Sequence, residues 1–152
     1  MEELYGQFFD AMDHIRKIRI GDLFPDMTKA DGMTLMAIRH FNKEKAEDIL
    51  TVSELAERLH TQPSAVSRTL KSLEERGMIE RTVNRADRRN TYVTLSEYGT
   101  KTSAEIERAM GDFAQAVLSR MNKEDLSRLV AYLNKLYQVA VEEIETRKNR
   151  KV

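Results

Sequence analysis

The stretch that decides the fold runs from Leu50 to Gly99 and reads LTVSELAERLHTQPSAVSRTLKSLEERGMIERTVNRADRRNTYVTLSEYG. Thr51 followed by Glu54 is the pattern of a capping box, in which a hydroxyl and an acid three residues later bond the free amides at the start of a helix. Pro63 predicts a second helix start, because proline at the first helical position loses no hydrogen bond. Gly77 is suited to end that helix in a left-handed conformation. Two short helices joined by so tight a turn predict a helix-turn-helix.

A β-hairpin is predicted directly after the second of these helices. Residues 78–83 and 91–95 are rich in Ile, Val, Thr and Tyr, as β-strands are, and the polar segment 84–90 separates them. The separating loop is also basic, since it contains Arg85, Arg88 and Arg89. A helix-turn-helix followed by a hairpin is a winged helix, in which the second helix enters the major groove of DNA.

The second helix has two chemically different faces. Val66, Leu70 and Leu73 are spaced by four and three residues, which predicts one buried side. The opposite positions, at i, i+3, i+4 and i+7, are small and polar or basic: Ser64, Ser67, Arg68 and Lys71. Arginine can pair with a guanine edge, and serine can bond bases or phosphate, so we expect this face to contact DNA. A solvated helix surface is the alternative interpretation of the same four residues.

The charge balance needs to be read locally. The whole chain has 25 Lys and Arg against 25 Asp and Glu. By itself, a net charge of zero argues against a nucleic acid as the binding partner. Residues 58–90, however, contain eight Lys and Arg against four Asp and Glu, and the remainder has the opposite imbalance. A protein that neutralises phosphates needs a positive face rather than a positive total. The sequence therefore remains compatible with a DNA partner.

Amphipathic helices are predicted on both sides of this region. The first places Leu4, Phe8, Met12, Ile15 and Ile18 on one stripe, and the second begins at Thr28 with the capping acid Asp31 and an apolar face of Met33, Met36, Ala37 and Phe41. After the hairpin, Ser96 begins a long helix with Ile106, Met110, Phe113 and Val117 on one side. The last helix begins at Asn122 and Asp125 and has a stripe of Leu126, Leu129, Leu133, Leu136, Tyr137, Ala140 and Ile144.

These stripes can form an intrachain core or a dimer interface. A lone winged helix could not cover both long flanking helices, so much of the apolar surface of these helices would remain exposed to solvent in a monomer. Dimerisation is therefore the favoured interpretation. We expect the interface to contain Leu4, Phe8, Met12, Leu129, Leu133, Leu136, Tyr137, Ala140 and Ile144.

The predicted fold is mainly α with a small β-hairpin wing, a winged helix-turn-helix flanked by dimerisation helices. We expect a single domain, 1–152, divided into N-terminal helices for dimerisation and support (1–48), the winged helix-turn-helix DNA-binding region (49–96), C-terminal dimerisation helices (97–147) and a basic tail (148–152).

Several function classes are excluded by composition. With no Cys, the chain has no disulfide, thiolate metal site or catalytic thiol. Metal sites need three or four converging ligands. Asp10 and His14 share one helix face, but no third ligand is spaced to join them, and His40 and His60 have no neighbouring ligand residues in a metal-binding pattern. We expect no metal, cofactor or catalytic residues, hence no enzyme, since no nucleophile motif or glycine-rich phosphate loop is present.

Without a secretory signal or an apolar run near the roughly 18 residues that span a bilayer, we expect a cytoplasmic protein with no membrane partner.

The runs SAVSRTLKSLEERGMIER and DRRNTYVTLSEYG, both within Leu50 to Gly99, resemble the winged-helix core of the MarR (multiple antibiotic resistance regulator) family of bacterial transcription factors. The resemblance implies a homodimer in which the first helix and the last two helices of each subunit interleave. It also implies a palindromic DNA site, usually overlapping a promoter. In the wing, it implies that Arg89 enters the minor groove, steadied by Asp87; a surface salt bridge is the plainer interpretation of that pair.

This sequence departs from the family pattern in the turn of the helix-turn-helix. Gln62 stands where the family usually has a small capping residue, and His60 where Gly is common. Both could alter the pitch of the recognition helix. In the wing, the residues do not decide whether Arg85 or Arg88 contacts phosphate.

The resulting functional prediction is a sequence-specific, DNA-binding transcriptional regulator, a ligand-responsive repressor that acts as a homodimer on a palindromic operator. Its partners would be double-stranded DNA, a second copy of itself and a small-molecule effector. The methionines of the outer helices could line the effector pocket or simply fill the core. The alternative function is a protein-interaction winged helix that does not bind DNA.

Overall fold

Six α-helices and a two-stranded hairpin make up the described part of the chain, residues 1–45, 48–83 and 91–150 of a computed structural model. In chain order the elements are α1 (Glu2–Arg16), a 3₁₀ turn (Ile20–Leu23), α2 (Lys29–Glu44), α3 (Val52–Arg58), α4 (Pro63–Glu75), β1 (Ile79–Val83), β2 (Thr91–Leu95), α5 (Glu97–Leu118) and α6 (Lys123–Asn149). The predicted fold class, mainly helical with a hairpin wing, is confirmed. Within the described ranges, no helix is long and apolar enough to cross a membrane.

The chain forms two compact units, Met1–Ala109 and Met110–Val152. The first contains α1 to α4, the hairpin and the first half of α5. The second contains the end of α5 and all of α6. The winged helix-turn-helix lies entirely in the first unit.

The core of the first unit is built around α4. Val66, Leu70 and Leu73 are almost completely buried, as their spacing predicts, and α4 packs against α2, α3 and β1. The other buried apolar residues come from every element around it: Leu35, Ile38, Phe41, Leu50, Leu55, Ala56, Met78, Ile79, Val93 and Ile106. The apolar side of α4 is therefore the surface against which the surrounding elements pack to form the core.

The apolar face predicted for α2 is partly wrong. Phe41 is buried as expected, but Leu35 and Ile38 are its fully buried companions, and Met33 is 49% exposed. Met36 and Ala37 are half-buried. Leu35, Ile38 and Phe41 lie three residues apart on α2, which packs against α4 and β2. Met33 instead lines an open cavity together with Ala65 and Thr69 of α4. Packing against these neighbours, rather than the clustering of methionines, selects the face of α2.

The boundaries of the helix-turn-helix follow the predicted caps with one difference. The Thr51 hydroxyl accepts a hydrogen bond from the Glu54 amide at 3.2 Å, but the return bond of a full capping box is not present among the described residues. Leu59 is half-buried just beyond the end of α3. In the turn, His60 has φ of +48°, a left-handed conformation in which glycine is less strained. Gly77, with φ of +69°, ends α4 as predicted.

The hairpin is antiparallel, with Ile79 opposite Leu95 and Val83 opposite Thr91. A third segment joins its edge, because the amide of Val93 donates to the carbonyl of Leu50 at 2.9 Å. This bond attaches the start of the helix-turn-helix to the wing. The loop 84–90 lies outside the described residues.

The start of α5 is fixed to the base of the hairpin at close range. The Ser96 hydroxyl donates to the Gly77 carbonyl at 2.7 Å and accepts from the Gly99 amide at 2.9 Å, which confirms Ser96 as the helix cap. The Cα of Gly99 lies so near Met78 that an added Cβ would be 1.8 Å from the Met78 carbonyl oxygen. Glycine is required here because there is no room for a side chain.

A second contact, about two turns further along, fixes α5 against α2. The Glu107 carboxylate accepts from Lys43 Nζ at 2.6 Å and from Arg39 Nε at 2.8 Å. The hydrogen bonds from Lys43 and Arg39 lower the pKa of Glu107 from its usual value to about 2. The carboxylate is therefore ionised at any physiological pH, and the bridge between α2 and α5 is present throughout that range.

We expect Gly99→Ala to lower the free energy of unfolding by about 1–3 kcal/mol or more, because the backbone at Met78 must move to admit the methyl group. Chemical denaturation measures the effect. Gly111→Ala is the matched control, since Gly111 also lies within α5 but has no atom within 4 Å of the added Cβ. Gly111→Ala should raise the free energy of unfolding by about 0.5–1 kcal/mol, because alanine has a higher helix propensity than glycine. Equal effects at the two positions would contradict the assigned role of Gly99.

Candidate nucleic-acid interface

One side of α4 presents the four residues that the sequence assigned to DNA. Ser64, Ser67, Arg68 and Lys71 are all exposed, on the opposite side of the helix from its buried leucines and valine. We call these four residues the polar face of α4. The structure thus brings the predicted helix residues together on one accessible surface, while their contact with DNA stays a prediction.

The cationic side chains of the polar face are weakly engaged within the chain. Lys71 Nζ is 3.9 Å from the Glu75 carboxylate, with both side chains mostly exposed. Exposed pairs of this kind contribute little to stability and exchange readily for other partners. Arg68 makes no ion pair or hydrogen bond with the described residues. Both cations are therefore available to a phosphate or a base edge.

Arg76 holds the carboxyl-terminal end of α4 against α2. Its Nη1 donates to Asp31 Oδ2 at 3.1 Å, and its Nη2 donates to the carbonyl of Asp26 at 2.9 Å. Asp31 is only 4% exposed and also accepts from the Thr28 amide at 3.3 Å, completing the predicted capping box of α2. A single carboxylate therefore both caps α2 and positions the recognition helix.

Sequence reasoning missed this connection. The spacing of Thr28 and Asp31 predicts a helix cap, but the pairing of Asp31 with Arg76, 45 residues away, leaves no signal in local spacing. An arginine immediately before Gly77 is also an ordinary feature of a helix end. The pairing depends on how α2 and α4 pack.

Two further arginines of the basic segment serve the fold. Arg81 bonds Glu74 through Nε at 2.9 Å and also through Nη2, and the bond to Arg81 lowers the pKa of Glu74. Arg58 pairs with Glu44 at 3.1 Å and lies over the ring of Phe41, 4.9 Å from its centroid. Both connect neighbouring elements of the first unit.

The positive excess of residues 58–90 is therefore not equivalent to a positive DNA-binding face. Arg58, Arg76 and Arg81 are all engaged with acids of the same chain. Arg68 and Lys71 are the basic residues of this segment that the described structure leaves accessible for phosphate. The remaining predicted DNA contacts, Arg85, Asp87, Arg88 and Arg89, lie outside the described residues.

The residues predicted for the dimer interface are solvent-exposed in the single chain. In α1 these are Leu4, Phe8 and Met12, and in α6 they are Leu129, Leu133, Leu136, Tyr137, Ala140 and Ile144. No residue of α6 is buried, although the helix is 27 residues long. A helix with so much exposed apolar surface needs a partner. The assignment of these residues to a dimer remains a prediction.

Comparison with known proteins identifies the family. A family model described as the MarR family matches residues 26–90. The HTH-type transcriptional repressor MdtR of Bacillus subtilis (strain 168) is 32% identical over 107 residues, which are 70% of this chain and 68% of that protein. The chain belongs to the MarR family. Membership confirms the resemblance seen in the winged-helix motifs and assigns the chain to transcription regulators rather than enzymes.

Other similarities agree with this MarR-family assignment. The HTH-type transcriptional regulator YwhA of Bacillus subtilis (strain 168), itself uncharacterised, is 30% identical over 88 residues, which are 58% of this chain and 63% of that protein. The chain thus matches less than two thirds of the length of that relative. In a crystal structure of the S. aureus MepR–DNA complex, the MepR chain has 24% identity and a TM-score of 0.68, covering 90% of this chain and 97% of that one. At this identity the likeness concerns the fold.

We expect Arg76→Ala to lower the free energy of unfolding by about 1.5–3 kcal/mol, because it leaves the buried carboxylate of Asp31 without its cationic partner. A double-mutant cycle with Asp31→Ala measures the coupling. Lys101→Ala, which removes an exposed pair with Glu97, is the control and should cost less than about 1 kcal/mol. Additive effects of the Arg76 and Asp31 changes would contradict the proposed connection.

Proposed function

We propose that this protein is a cytoplasmic transcription regulator that binds a palindromic operator as a homodimer through the polar face of α4. The observation that supports the proposal most strongly is the combination of an exposed, polar and basic face with a rigid attachment of the same helix. The opposite side of α4 is buried in the core, and Arg76 ties its end to α2. A recognition helix needs both properties, because base contacts require a fixed orientation.

The proposed dimer follows from the exposed apolar surface of α1 and α6. A twofold dimer would cover this surface and present two copies of α4, which matches the symmetry of a palindromic site. Repression is proposed because the relative MdtR is named a repressor. Regulation by a small-molecule effector is proposed from family membership, and no described residue is assigned to it.

The interaction-module alternative receives no support from the comparisons, which name transcription regulators, and MepR was crystallised with DNA. It makes an opposite prediction about salt. A DNA-binding regulator loses affinity with a slope of roughly −0.9 in log K against log salt per neutralised phosphate. A module that binds protein has no such DNA affinity to lose.

We expect Arg68→Ala to weaken binding to an operator selected from random DNA and to relax base preference at one position, at a cost of about 1–3 kcal/mol. Lys71→Ala should weaken binding to all sequences alike and reduce the salt slope by about 1, as a phosphate contact would. Fluorescence anisotropy over a salt series measures both effects. Unchanged affinity in both variants would remove the polar face of α4 from the interface.

We expect Leu133→Asp to convert the dimer to a monomer, because a carboxylate in the middle of the α6 stripe would be buried without a partner. Analytical ultracentrifugation measures the assembly state, and operator affinity should fall with it. Ser127→Asp is the control, since Ser127 is exposed on α6 away from the stripe. A dimeric Leu133→Asp variant would place the interface elsewhere.

A further inference from the structure

We propose that Gln62 is a specificity-determining residue that reads an adenine in the operator half-site. The inference rests on the proposed DNA-binding function and adds to the polar face of α4 a residue that precedes the helix. Three features of Gln62 support it: its side chain does not cap the helix, its backbone is fixed, and it immediately precedes the helix that carries the polar face.

The first feature is the missing cap. At the starts of α2, α3 and α6, a side chain accepts a hydrogen bond from a backbone amide: those of Thr28, Thr51 and Asn122. Gln62 occupies the same position at the start of α4, yet its side chain makes no capping bond. Glutamine is not among the residues that favour this position. Helix stability therefore does not explain why a glutamine is present.

The second feature is a fixed backbone with a free side chain. The carbonyl of Gln62 accepts from the amides of Ala65 at 3.0 Å and Val66 at 3.2 Å. The next residue is Pro63, whose ring restricts the backbone at the first position of the helix. The side chain of Gln62 is exposed and forms no hydrogen bond with the described residues. A reading side chain benefits from this arrangement, because its point of attachment does not move.

The third feature is location. Gln62 lies two residues before Ser64, the first member of the polar face. It also lines an open groove together with Ser53 at the start of α3. In helix-turn-helix proteins the first helix crosses the DNA backbone, and the amino-terminal residues of the second contact base edges. Along the chain, Gln62 therefore stands between α3, which would cross the DNA backbone, and α4, whose amino-terminal end would face the bases.

The chemistry of the groove favours a base over a phosphate. Glu57 lines the same groove and is exposed, and its carboxylate would repel a phosphate placed there. An amide side chain presents one acceptor and one donor in fixed geometry. These match the N6 amino group and N7 of adenine, which glutamine contacts bidentately in the major groove.

The experiment compares three full-length proteins, the wild type, Gln62→Ser and Gln62→Glu, in selections from random DNA followed by affinity measurements on every single-base variant of the half-site. Gln62→Ser should lose about 5- to 150-fold discrimination for adenine at one position and its symmetry mate. Because serine can cap the helix, its thermal midpoint should rise by about 2–4 °C. Gln62→Glu should shift the preference at that position toward cytosine, whose N4 amino group it can accept from.

Gln115→Ser, an exposed glutamine of α5, controls for the loss of a glutamine and should leave base preferences unchanged. An unchanged base profile in both Gln62 variants would overturn the inference, and a uniform loss of affinity would instead identify a phosphate contact. If the wild type itself enriches no palindrome, the proposed function fails, and that result is distinct from the failure of Gln62 alone.

Discussion

The burial of one side of α4 is the constraint on which the rest of the first unit depends. Val66, Leu70 and Leu73 fill the space between α2, α3 and β1, and a helix so held can expose only the opposite side. The same packing decides the orientation of α2, whose Leu35 and Ile38 complete the core in place of the expected Met33. The exposed position of the polar face is therefore a consequence of apolar packing, because the two sides of one helix cannot be chosen separately.

Charges in this protein perform two separate tasks. Arg58, Arg76 and Arg81 each pair with an acid and join neighbouring elements, and Glu107 joins α5 to α2 through two cations. The hydrogen bonds from Lys43 and Arg39 lower the pKa of Glu107, and the bond from Arg81 lowers the pKa of Glu74, so both attachments persist under physiological conditions. The cations left for DNA form a smaller set than the count of basic residues indicates. A chain of zero net charge can thus expose cations on one face while other arginines pair with acids inside the fold.

Local features were predictable to a large extent. Caps at Thr28, Thr51 and Ser96, the proline start of α4 and its glycine end all appear as the sequence indicates, because these residues satisfy or terminate the hydrogen bonds of their own helix. The face of α2, the pairing of Arg76 with Asp31 and the lack of space at Gly99 were not predictable. Each depends on a neighbour distant in the sequence, and local periodicity contains no information about that neighbour.

By itself, the sequence determined the order of helices and strands, the two faces of the recognition helix and the family, because these follow from spacing, capping and short motifs. Only the tertiary structure decided which arginines are structural and which are accessible, since that depends on where each acid lies after folding. It also separated Gln62 from the residues that cap helices, since a capping bond is a matter of side-chain conformation. Residue type is a local property, whereas accessibility is a property of the packed chain.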